Sequence, residues 1–94
     1  MHYIVFANDK PGHEQVRLDT RAAHIEYLKA NTDLIVTAGP MQTNDGDGMI
    51  GSMLVLDVPD RATAEAFATN DPYAKAGLFE STLIRRWKRT IPTE

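Results

Sequence analysis

The sequence predicts an α+β fold of ferredoxin-like type: a four-stranded antiparallel sheet with both helices on one face. Three observations carry the prediction. The apolar patterning runs β-α-β-β-α-β along the chain, the order of a split βαβ sandwich. A length of 94 residues holds one hydrophobic core and not two, so residues 1–94 read as a single domain. The composition, 43% hydrophobic and 24% charged with no cysteine, is that of a globular domain that needs no disulfide staples.

Each element has its own reason. Tyr3 to Ala7 is a β-branched and aromatic run closed by Asn8-Asp9-Lys10-Pro11-Gly12, which reads as strand then turn. Glu14 to Ala30 contains no Pro or Gly, and Leu18, Ala22, Ile25 and Leu28 recur at helical spacing. Leu34 to Ala38 is apolar and β-prone until Gly39-Pro40, where the second strand is expected to stop. Met41 to Met49 is a Gly-, Asn- and Asp-rich connection, expected to be mobile at its tip. Gly51 to Val58 then returns to strand composition with apolar residues on both faces. Asp60 is an N-cap for a second helix over Arg61 to Thr69, with Ala62, Ala66 and Phe67 as its apolar stripe. Asp71 caps a short turn opened by Pro72. Phe79 to Arg89 alternates, with Leu83 and Trp87 on one face and Thr82, Ile84 and Lys88 on the other.

A sheet with helices on one face leaves the other bare, and the third strand is apolar on both sides. A second copy of the chain is the expected cover, because a two-fold axis buries the same patch twice. The formal charge of −3 and a pI near 5.5 provide no positive field for nucleic acid or an acidic membrane surface. The Arg85-Arg86 and Lys88-Arg89 run is split over two faces by strand alternation. The opening apolar residues lack a basic leader and end at Asn8, so a cytoplasmic location is expected.

Among polar residues, Arg21 falls inside the apolar stripe of the first helix, with Arg17 and His24 at its Leu28 edge. Two readings stand for Arg21: a stem that snorkels to water, or a cation meeting an anion in an open pocket. His24 has the side chain whose ordinary pKa, roughly 6.5, suits proton transfer at neutral pH, but it needs a partner. Asp71 is the best candidate, although capping explains it completely and on spacing alone the cap is the favoured reading. His2 and His13 offer no ligand spacing with His24, so no metal site is expected, and Asn44 to Gly48 lacks the register of a calcium loop.

Taken together, Tyr3-Ile4-Val5-Phe6-Ala7, Arg21-Ala22-Ala23-His24, Thr37-Ala38-Gly39-Pro40, Gly51-Ser52, Ala64-Glu65-Ala66-Phe67, Asp71-Pro72-Tyr73 and Ala76-Gly77-Leu78-Phe79 resemble the YciI-like (YCII-related) proteins, small members of the dimeric α+β barrel superfamily. The resemblance spans nearly the whole chain. It implies a homodimer whose sheets face each other. It also implies a pocket where His24 and Asp71 form an acid/base pair acting, without a cofactor, on a small, acidic, ring-derived molecule in lyase or isomerase chemistry. In that setting Arg21 would bind a substrate carboxylate, Ser52 would donate a hydrogen bond, the Gly39 backbone would approach the ligand closely, and Tyr73 would wall the site. The alternative is a binding or accessory domain in which the same pocket holds a small acid without turning it over.

Overall fold

A computed structural model of the chain describes residues 1–92 and has the expected α+β architecture. The strands are β1 (His2–Asp9), β2 (Ile35–Gln42), β3 (Met49–Asp57) and β4 (Phe79–Trp87), in sheet order β2-β3-β1-β4 with every neighbouring pair antiparallel. The helices are α1 (Glu14–Ala30), α2 (Arg61–Thr69) and the one-turn α3 (Pro72–Lys75). No helix among the described residues is long and apolar enough to cross a membrane.

The helix-facing side of the sheet carries the core. Tyr3, Val5 and Ala7 of β1 stand opposite Leu56, Leu54 and Ser52 of β3, and Ile84 of β4 stands opposite Val5. Phe67 and Ala64 of α2 pack onto this face together with Val58. Only Phe67 of the expected α2 stripe is buried: Ala62 and Ala66 are exposed, and Ala64 takes their place. Asp60 accepts hydrogen bonds from the Thr63 amide at 2.8 Å and its hydroxyl at 2.7 Å, so the expected cap is formed. Those hydroxyl and amide donors hold the Asp60 carboxyl below its ordinary pKa.

Two expectations change. β2 does not stop at Gly39-Pro40 but continues to Gln42, with Pro40 opposite Ser52. It is an edge strand, where a proline's missing N–H removes no ladder bond if that side faces outward. The connection is also shorter than Met41–Met49: only residues 43–48 separate β2 from β3, and they form a turn. Asp45 accepts from the Thr43 hydroxyl and the Asp47 amide, and the Thr43 amide donates to the Gly48 carbonyl.

Gly51 is a site where the sheet tolerates no side chain. A Cβ there would lie 2.5 Å from the Ala7 carbonyl oxygen, at the end of the β1–β3 ladder where Gly51 pairs with Asn8. Gly51→Ala is therefore expected to destabilise by about 1–3 kcal/mol through overpacking. Urea denaturation measures it, and a midpoint unchanged from wild type would mean the strands separate at no cost.

Candidate active site

The principal correction concerns α1. Most of the apolar stripe does not face the core: Leu18 is 56% exposed, Ala22 is exposed and Ile25 is half-buried, and of the four only Leu28 packs against the core cluster. The buried residues of this helix are Arg17 and His24, seven positions apart on one face. At 100° per residue the inward face is turned roughly 100° from the apolar stripe. The reason is what lies beneath: α1 packs on α3, and the side toward β2 borders a cavity with polar groups among apolar walls.

That cavity, about 110 Å³, is bounded by Arg17, Arg21, His24 and Ile25 of α1, by Ala38, Gly39 and Pro40 of β2, and by Ser52 and Tyr73. Nδ1 of His24 lies 2.8 Å from Oδ1 of Asp71, and both side chains are more than nine-tenths buried. An ionised carboxylate only accepts, so Nδ1 carries the hydrogen, and in the neutral ring Nε2 is the free nitrogen. Nε2 has no protein partner, yet no buried side-chain nitrogen or oxygen among the described residues lacks one. That edge of the imidazole is therefore open.

The same Asp71 oxygen accepts the Tyr73 amide at 2.9 Å as the cap of α3. Capping and pairing, which competed as sequence readings, are thus one arrangement: the cap holds the carboxylate in place to meet His24. Tyr73 stacks on His24 with ring centroids 4.0 Å apart and 19° between planes, and its ring also receives the Arg17 guanidinium at 4.6 Å. Burial raises the pKa of the phenol above its ordinary value, against an opposing pull from Arg17 and Arg21.

Arg17 is 2% exposed and its Nε and Nη2 donate to the two Asp9 oxygens at 2.7 and 2.9 Å, a bidentate fork. Nη2 also donates to the Ser52 hydroxyl at 2.9 Å. Burial alone would lower the Arg17 pKa, but Asp9 more than offsets it, and the group is held firmly charged.

Of the residues expected in the site, His24, Asp71, Tyr73 and Ser52 come together. Ser52 meets the cavity as an acceptor bound to Arg17. Arg21 lines the cavity from its exposed rim, without an ion pair among the described residues. Gly39 lines it too, but a Cβ there would meet no atom within 4 Å, so no packing within the chain requires glycine. Arg17 and Asp9 were not singled out by the sequence reading. The available signal was a polar stripe at helical spacing, Arg17, Thr20, His24 and Tyr27, but such a stripe ordinarily reads as the solvent face of a helix.

5-Chloro-2-hydroxyhydroquinone dehydrochlorinase (TftG) from Burkholderia phenoliruptrix AC1100, solved in complex with 2,5-dihydroxybenzoquinone, superposes with a TM-score of 0.89 at 36% identity, covering 96% of each chain. Protein YciI of Escherichia coli is 32% identical over 98 residues, 97% of this chain and 100% of that protein. A Pseudomonas aeruginosa protein of solved structure shares the fold alone, at 14% identity and a TM-score of 0.55 over 95% of this chain and 92% of that one. The YCII-related domain profile matches residues 1–88, and with near-complete coverage by relatives above 30% identity the chain belongs to the YCII-related family.

Proposed function

We propose that the cavity is the active site of a cofactor-independent enzyme of lyase type, in which His24 and Asp71 act as an acid/base pair on a small, acidic, ring-derived molecule. The observation that carries this reading is the 2.8 Å contact of His24 with Asp71 in a pocket where Nε2 is left open. Asp71 holds the ring in one tautomer and stabilises the charge it acquires when Nε2 takes a proton from the substrate. Elimination then balances: one proton passes to His24, an anion leaves the neighbouring carbon with its bonding electrons, and no external oxidant or reductant is needed.

At about 110 Å³ the cavity is smaller than the roughly 150 Å³ that holds benzene in a dry core, so a substituted ring would extend toward the open rim. The relative with 36% identity is named for loss of HCl from a chlorinated hydroquinone and was solved with a hydroxylated quinone. Arg21 at the rim supplies the positive charge that draws in an anionic substrate, Tyr73 walls the pocket, and Gly39 leaves the β2 side open to it. The test is turnover of 5-chloro-2-hydroxyhydroquinone and related hydroxylated rings by the purified protein. Activity that disappears with His24 supports the reading, and activity indifferent to His24 overturns it.

The working unit is a homodimer. On the bare side of the sheet Phe6, Met53, Leu83 and Trp87 are 37–48% exposed, and the register places Phe6 directly between Met53 and Leu83. Two copies facing each other across a two-fold axis bury this patch on both. Light scattering is expected to give twice the chain mass. A monomer at micromolar concentration, with stability independent of dilution, would rule it out.

A further inference from the structure

The sequence points to Arg21 as the anion receptor, but the structure offers a better-built donor. Arg17 is almost wholly buried and fixed on three sides: two bonds to Asp9 and one to Ser52. These bonds use Nε and Nη2, while Nη1 takes part in none of the geometrically formed hydrogen bonds among the described residues. No buried side-chain nitrogen among the described residues lacks a partner, so Nη1 is not sealed off, and the cavity between α1 and β2 is where Arg17 opens. The Tyr73 side chain lines the same cavity, and Arg17, by charge and by a weak hydrogen bond, and Arg21, by charge, oppose the rise in pKa that burial gives the phenol.

We propose that Arg17, through Nη1 and beside the Tyr73 hydroxyl, holds the oxyanion of the bound ring, with Asp9 as the residue that positions it. This rests on the acid/base reading of the pocket and goes further, in naming the substrate as a ring that bears an ionised oxygen, an enolate or phenolate. Such a group wants directional donors already in place before it arrives, because a rigid donor costs little reorganisation when charge develops. The Arg17–Asp9 pair is neutral as a whole, so its contribution is the aim of its N–H groups and not long-range attraction. Arg21, exposed and without an ion pair among the described residues, supplies the attraction but not the aim. The two arginines therefore divide the work: one steers and one anchors.

The experiment is calorimetric titration with 2,5-dihydroxybenzoquinone, an acidic hydroxyquinone that is ionised at neutral pH. Wild type, the Asp9→Asn/Arg17→Met double variant and Arg21→Gln are compared, with the near-UV circular dichroism of each confirming the fold. The double variant removes both members of the ion pair and leaves no buried charge unpaired. It is expected to bind about 10–100-fold more weakly, the range for losing hydrogen bonds to a charged group. Arg21→Gln is expected to lose less than about fivefold, as for an exposed charge. Binding by the double variant within about threefold of wild type, or a larger loss in Arg21→Gln, overturns the anchoring role and leaves the His24–Asp71 reading standing. If the double variant lacks the native spectrum, Arg17→Lys takes its place. It keeps the charge beside Asp9 but has no second nitrogen to present, and the same loss and the same threshold decide. Absence of binding by wild type at millimolar probe overturns the substrate class and this inference with it, whereas the acid/base pair is judged separately by turnover in the His24 variants.

Discussion

His24→Gln is expected to lower kcat on the true substrate by about 10²–10⁴-fold while the protein still folds. The amide fills most of the imidazole's space beside Tyr73 and can still donate to Asp71, but it cannot take a proton at neutral pH. His24→Ala should match it in activity and cost more in stability, because the ring is buried and stacks on Tyr73 at 4.0 Å. Asp71→Asn separates the two roles of that residue. Both the His24 contact and the Tyr73 cap use Oδ1, and an asparagine oxygen accepts in the same two places. The turn is therefore preserved and the negative charge that supports protonated His24 is lost, so activity is expected to fall about tenfold or more with little change in stability. Steady-state kinetics paired with urea denaturation of each variant gives the answer. Asp71→Asn at wild-type activity would mean that Asp71 is only a cap.

Arg17→Met is expected to be the most destabilising single change in the site, by about 3 kcal/mol or more, because it leaves the Asp9 carboxylate buried with no cation. Asp9 has a side chain only 6% exposed, so water cannot readily replace the lost partner. Asp9→Asn/Arg17→Met should recover most of that loss, since replacing both members of a buried pair is often neutral. The double-mutant cycle isolates the coupling between the two side chains. Additive single losses would show that the two charges, 2.7 Å apart, are solvated in practice and that the fork contributes nothing to folding.

The order and most boundaries of the elements were legible because they depend on local chemistry. α1 begins and ends where expected because no Pro or Gly interrupts Glu14 to Ala30, and α2 starts after Asp60 because an aspartate there accepts the free amide of Thr63. The family pattern led to His24 and Asp71, and their chemistry is local enough to be named residue by residue. Three features depended on the tertiary structure. β2 runs through Pro40 because it lies at the sheet edge, a fact of strand order that no local pattern carries. α1 turns Arg17 and His24 inward and Leu18 outward because a cavity, not an apolar core, borders that side, and periodicity reports how a helix is amphipathic but not which side meets a site. Arg17 finds Asp9 and Ser52, at sequence separations of 8 and 35, only once β1, β3 and α1 are assembled. A buried charge can be read as such only when its partner is in place, because burial without a partner is what water would forbid.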